Sequence, residues 1–103
     1  MMAGVRQISV SEAKTHLEDG SAVFVDIRDS GSYERGHIPG ALPLNDGNVE
    51  EFLSQADKGK RTIVCCYHGI SSQGAAAYFE ERGFTDVYSL IGGYEAWSNQ
   101  RLP

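Results

Sequence analysis

Two adjacent cysteines, Cys65 and Cys66, end the apolar run Thr62-Ile63-Val64, and Tyr67-His68-Gly69-Ile70-Ser71-Ser72-Gln73-Gly74-Ala75-Ala76 follows them. The run reads as a buried strand, and the polar, glycine-containing stretch as a short loop. The alanine-rich segment reads as a helix that starts near Ser71 or Ser72. A helix N-terminus offers unpaired N–H groups and a partial positive charge, and so attracts anions. A thiol placed there ionises more readily, because the same field stabilises a thiolate. Cys66 is therefore a candidate nucleophile in a cradle of amides. It also falls at the carboxyl end of a strand, where open α/β sheets bind their ligands. From Tyr67 to Ser71 the chain has to curl so that successive N–H groups face one point, a backbone nest. Gly69 supplies the conformational freedom for that curl. Gly74, in the first helical turn, is expected to let the helix pack closely beneath the loop.

The remaining residues capable of chemistry read mostly as structure. Strand side chains alternate, so Cys65 points away from Cys66 and into the core. A disulfide between them is not expected: neighbouring Cα atoms lie about 3.8 Å apart, and disulfides usually span about 4.4–6.8 Å. A redox dithiol would lack the two intervening residues of a Cys-x-x-Cys motif. Asp26 and Arg28 flank Ile27 at a strand end and are expected to form an internal ion pair or turn brace. His37, inside Gly36-His37-Ile38-Pro39-Gly40, is expected to hold that turn by a hydrogen bond. His68 has two readings, as a neighbouring cation that tunes the thiolate or as a side chain facing solvent. Tyr94 and Trp97, at helical spacing, read as core. Zinc is not expected at Cys65, Cys66, His37 and His68, because adjacent cysteines point apart. No cofactor is called for.

Composition sets the frame. The chain has 103 residues, 41% hydrophobic and 22% charged. It fits one domain spanning residues 1–103, since domains commonly hold about 100–150 residues. Its formal charge of −5, without a basic run, argues against a nucleic-acid surface, which needs clustered Lys and Arg. No apolar stretch approaches the roughly 18–20 residues that cross a bilayer, so no membrane partner is expected. Met1-Met2-Ala3-Gly4-Val5-Arg6 lacks the apolar segment of a signal peptide. The cytoplasm is the expected compartment, and there both thiols stay reduced.

Short apolar runs alternate with amphipathic stretches throughout, the pattern of an α/β domain with a mostly parallel sheet. Arg6-Gln7-Ile8 is a first strand. Ser9 and Glu12 have capping-box spacing, Val10, Ala13 and Leu17 line one helical face, and Gly20 ends that helix. Ala22 to Ile27 is apolar enough for a strand covered on both faces. Asp29 or Ser30 caps a short helix ending at Gly36, and Pro39-Gly40 favours a type II turn. Pro43 places the brief strand 41–44 at a sheet edge. Val49, Phe52, Leu53 and Ala56 mark a helix over 48–56. After the Cys66 loop, Ala75, Ala76 and Phe79 face the core up to Gly83. Strand 86–90 follows, and then a last helix from Gly92-Gly93 that carries Tyr94 and Trp97.

Three motifs, in order, carry a resemblance that covers nearly the whole chain. Val25-Asp26-Ile27-Arg28-Asp29 with Tyr33 and Gly36-His37-Ile38-Pro39-Gly40-Ala41 resembles the opening signature of the rhodanese family. Cys66-Tyr67-His68-Gly69-Ile70-Ser71-Ser72 resembles the active loop of its small single-domain sulfurtransferases, and Gly92-Gly93-Tyr94-Glu95-Ala96-Trp97 its closing motif. The resemblance implies a single α/β domain with a five-stranded, mostly parallel sheet and helices on both faces. It implies that Cys66 takes the sulfane sulfur of thiosulfate, releases sulfite, and passes the sulfur from a persulfide to cyanide or a thiol such as thioredoxin. Tyr67, His68, Gly69, Ile70, Ser71 and Ser72 would be the substrate-binding residues, through their amides and the two serine hydroxyls. The loop has no Arg or Lys, whereas larger two-domain rhodaneses place basic residues there. Weak thiosulfate binding without steep salt dependence is therefore expected, and a sub-micromolar Michaelis constant would contradict it. A cysteine phosphatase is the nearest rival enzyme, but its Cys-x5-Arg arginine position is Ser72. The other alternative is a non-catalytic or redox-sensing rhodanese-like binding module.

Overall fold

A computed structural model of the chain describes residues 4–99. The readings made on Met1, Met2, Ala3 and the last four residues lie outside them. Ten elements alternate along the chain: β1 (Gln7–Ile8), α1 (Val10–Asp19), β2 (Val23–Asp26), α2 (Ser30–Arg35), β3 (Leu42–Pro43), α3 (Val49–Gln55), β4 (Thr62–Cys65), α4 (Ser71–Glu81), β5 (Val87–Leu90) and α5 (Gly93–Asn99). The strands form one sheet in the order β1-β5-β4-β2-β3, and every pairing is parallel.

Local chemistry sets the element ends as the sequence foretells. Ser9 caps α1 by accepting from the Glu12 amide, and Gly20 closes it in the left-handed region. Asp29 caps α2 through the Ser32 amide. Ala41 N–H donates to the Ile38 carbonyl across Pro39-Gly40, with Gly40 at φ 79°, as a type II turn requires. Pro43 sits on the edge strand, where its missing N–H costs no ladder bond. At the end of α4 the amide of Gly83 bonds Glu80 and that of Phe84 bonds Phe79. The Phe79 and Phe84 rings pack 5.2 Å apart, which completes a Schellman motif with its hydrophobic clasp.

The alternation of side chains on β4 divides the core. Ile63 and Cys65 join Ile8, Phe24 and Leu90 under α1 and α5. Val64 joins Val25, Val87 and Phe79 under α3 and α4. Tyr33 of α2 packs on the first side and α4 lies on the second. The adjacent strands β2 and β4 are thus followed by helices on opposite faces. That makes the carboxyl ends of β2 and β4 a topological switch point, where open α/β sheets hold ligands. Residues 26–28 and Cys66 lie at those two strand ends. Among the described residues no helix is long and apolar enough to cross a membrane.

Candidate active site

Cys66 is the first residue after β4 and retains 3% exposure. The chain from Tyr67 to Ile70 bends over it, with Gly69 at φ 85°. The amides of Gly69 and Ser72 each donate to Cys66 Sγ at 3.2 Å, and Ser72 Oγ lies 3.2 Å from the sulfur. α4 begins at Ser71, and its N-cap residue Ile70 makes no side-chain capping bond. The sulfur therefore takes the place of an N-cap oxygen, accepting from the second helical N–H. Burial pushes the Cys66 thiol up, but the Ser72 hydroxyl, the Ser72 and Gly69 amides and the His68 amide outweigh it. They hold it below the range of an ordinary thiol. Cys65, on the opposite face and fully buried, is pushed up to about 12 by burial and the nearby Asp26 carboxylate.

The loop is clamped from below by the start of α5. Tyr94 N–H donates to the Cys66 carbonyl at 2.7 Å and Glu95 N–H to the Tyr67 carbonyl at 3.1 Å. These bonds hold both carbonyls on the amides of α5. Close approach is possible because Gly93 has no side chain: a Cβ there would lie 2.5 Å from the Cys66 oxygen and 2.6 Å from the Tyr67 carbonyl. Gly93 also holds φ at 62°. Gly93→Ala is expected to displace the loop and cost about 2 kcal/mol or more, since overpacking adds to left-handed strain. Urea denaturation measures the loss, and the Cys66 alkylation rate reports the spoiled cradle.

The residues named from sequence separate into two groups. Cys66, Gly69 and Ser72 meet at the sulfur. The Ser71 side chain is exposed, as is Ile70, at 74%. The Tyr67 hydroxyl bonds Ser32 Oγ of α2 at 3.1 Å, and Ser32 in turn donates to Asp29. His68 faces solvent, and its Nδ1 meets Glu95 Oε1 at 3.0 Å. Of the two readings of His68, the geometry supports the solvent-facing one for the side chain. Gly74 corrects an expectation: it is exposed, and a Cβ there would meet nothing within 4 Å. The close packing instead lies where Gly69 meets Gly92 and Gly93 meets the loop, because two backbone segments cross there. Ser72, where a Cys-x5-Arg loop has its arginine, is wholly buried with its hydroxyl between Cys66 and Ser89.

The brace beside the site forms as expected. Arg28 bonds both Asp26 oxygens, with Nη2 2.8 Å from Oδ2, and reaches the Gly36 carbonyl. Its guanidinium stacks over Tyr94 at 4.1 Å, and with Ser32, Arg35 and Gly36 they line a cavity of about 190 Å³. His37 Nδ1 donates to the Tyr33 carbonyl at 2.7 Å, and the two rings stack. Among the described residues no group of three or more His, Cys, Asp or Glu side chains is placed to hold a metal. Sequence reasoning missed Ser32 and Ser89. Ser89 shares the inward face of β5 with Val87 by period-two alternation, so a polar residue at a core position was the available signal.

Residues 9–100 match the family described as the Rhodanese-like domain. The chain is 49% identical over 96 residues to a thiosulfate sulfurtransferase GlpE of Shewanella oneidensis, covering 93% of this chain and 95% of that one. It is 45% identical over 92 residues to the GlpE of Pseudoalteromonas translucida, covering 89% and 88%. Among solved structures, a rhodanese-like domain protein of Staphylococcus aureus superposes with a TM-score of 0.80 at 25% identity, over 95% and 96% of the two chains. A thiosulfate sulfurtransferase of Pseudomonas aeruginosa shares the fold, with a TM-score of 0.84 at 23% identity, over 96% of this chain and 19% of that one. With its five-stranded parallel sheet, its cysteine loop and these relatives, the chain belongs to the rhodanese family.

Proposed function

We propose that this protein is a thiosulfate sulfurtransferase whose nucleophile is Cys66. The thiolate attacks the sulfane sulfur of thiosulfate. One S–S bond forms to Cys66 as the S–S bond of thiosulfate breaks, and sulfite leaves with the bonding pair. The persulfide anion then yields its outer sulfur to cyanide, giving thiocyanate, or to a thiolate, giving a new persulfide and regenerating Cys66. This is covalent catalysis in two half-reactions. The loop residues Tyr67, His68, Gly69, Ile70, Ser71 and Ser72 bind the sulfur chain, chiefly through main-chain N–H groups. The observation that carries the reading is a thiol ringed by the Gly69 and Ser72 amides and the Ser72 hydroxyl. The names of the two GlpE relatives support the choice of thiosulfate. Small thiophilic acceptors fit this chemistry; thioredoxin is the proposed protein acceptor, and the reducing cytoplasm the proposed compartment.

Mass spectrometry of the intact protein after thiosulfate treatment tests the proposal. Gain of one sulfur atom, mapped to the peptide holding Cys66, is the expected result. An unmodified Cys66 would overturn it and favour a binding module.

The pH dependence follows from the thiol shifts. Sulfur uptake needs the thiolate, so the rate rises with pH through the Cys66 midpoint. Because that midpoint is depressed, the rate reaches half of its plateau at a lower pH than it would with an ordinary thiol. Cys65, at about 12, stays protonated over the same range. Iodoacetamide at pH 8 is expected to label Cys66 and leave Cys65 untouched, which peptide mapping reads directly.

A further inference from the structure

Behind the Ser72 hydroxyl lies a second one. Ser89 Oγ, on β5, is 2.6 Å from Ser72 Oγ, and Ser72 Oγ is 3.2 Å from Cys66 Sγ. Ser72 and Ser89 are both wholly buried. Among the described residues Ser89 Oγ has no other side-chain or backbone hydrogen-bond partner. We propose that Ser89 is a positioning residue that aims the Ser72 proton at Cys66, so that the hydroxyl pair holds the sulfur in its anionic form. The inference rests on the reading of Cys66 as the nucleophile.

A count of protons supports it. Each serine hydroxyl has one to donate. With Cys66 ionised, Ser89 donates to Ser72, Ser72 donates to the sulfur, and no donor in the row is idle. With Cys66 protonated, the row holds one proton too many. If the thiol donates to Ser72, the Ser72 proton turns to Ser89, and the Ser89 proton points at nothing. If the serines keep their direction, the thiol proton confronts three donors that already face the sulfur. A buried donor without an acceptor bears its full desolvation cost, so the neutral state is the penalised one. Without Ser89, the Ser72 hydroxyl is free to turn away from Cys66 and loses its fixed direction.

Charged or ionisable groups on the neighbouring elements have to be kept separate in the test. At the end of β2 stands Asp26 and in the loop after it Arg28, paired with each other. From β4 comes Cys65, and from the loop His68, paired with Glu95 of α5. The first turn of α4 (Ser71, Ser72, Gln73) contributes no charged side chain.

The experiment is a titration of thiolate ultraviolet absorbance, taken as the difference from the matching protein carrying Cys66→Ser. It requires no sulfur transfer, so its outcome is independent of whether thiosulfate is the donor. Ser89→Ala is expected to raise the Cys66 midpoint by about half to one pH unit, the size of one hydrogen bond between neutral groups. Should the alanine variant fold poorly, Ser89→Thr and Ser89→Val give a pair of equal volume that differs by the hydroxyl. The threonine midpoint then lies below the valine midpoint. In a Ser72→Ala background the Ser89 substitution is expected to add no further shift, because the effect passes through Ser72. Repeating the series with His68→Gln removes the neighbouring imidazole and is expected to preserve the differences. Equal midpoints with and without the Ser89 hydroxyl, or an undiminished shift in the Ser72→Ala background, would overturn the proposal.

Discussion

Cys66→Ser is expected to abolish sulfur transfer while leaving the fold intact. A serine oxygen at position 66 can accept from the same Gly69 and Ser72 amides that now face the sulfur at 3.2 Å. The loop therefore has no reason to rearrange, and the melting temperature should stay close to that of the parent. What disappears is the nucleophile: a hydroxyl is not ionised near neutrality, and its oxygen forms no stable counterpart of a persulfide. Turnover with thiosulfate and cyanide is expected to fall by at least about 10³-fold. Cys65→Ala is the companion. That thiol is held up to about 12 in a sealed core position, so its removal leaves turnover near the parent's. Turnover that survives Cys66→Ser and vanishes with Cys65→Ala would reverse the assignment of the two cysteines.

The second large effect concerns stability. Arg28 and Asp26 are both almost completely withdrawn from solvent, with side-chain exposures of 5% and 1%. Arg28→Met removes the cation and leaves a carboxylate buried without its partner. Breaking a buried pair from one side costs about 3–5 kcal/mol, much of it the desolvation of the stranded charge. For a domain of this size that corresponds to a fall of roughly 15–30 °C in melting temperature. Arg28 also holds the Gly36 carbonyl and lies over Tyr94, so the loss extends to the end of α2 and the start of α5. The double variant Asp26→Leu with Arg28→Met should recover a large part of the loss, because no unpaired charge remains. Urea denaturation of the three proteins decides it. A single-variant loss below about 1 kcal/mol would mean that the pair behaves as an exposed one.

Much of the fold was legible because its determinants are local. Ser9 and Asp29 cap helices through amides three residues away, and the Pro39-Gly40 turn carries its own φ requirements. The fully apolar β4 marks itself as a strand covered on both faces. The Asp26–Arg28 brace spans only two residues, so its members meet wherever that strand end lies.

The site was legible only in part, for a corresponding reason. The order Cys66, Gly69, Ser72 sets a strand end, a left-handed bend and a helix start, and together these bring two N–H groups to one sulfur. The sequence by itself therefore determined which cysteine faces the loop, which one is core, and that backbone donors meet the thiol. Tertiary structure decided the rest. Ser89 reaches Ser72 because β5 pairs with β4, and the Tyr67 hydroxyl reaches Ser32 from 35 positions away. It also decided which glycine packs against the loop carbonyls: Gly93, rather than the exposed Gly74. Spacing along a chain encodes contacts within a turn or two. Contacts between segments far apart in sequence exist only once the sheet order has been chosen.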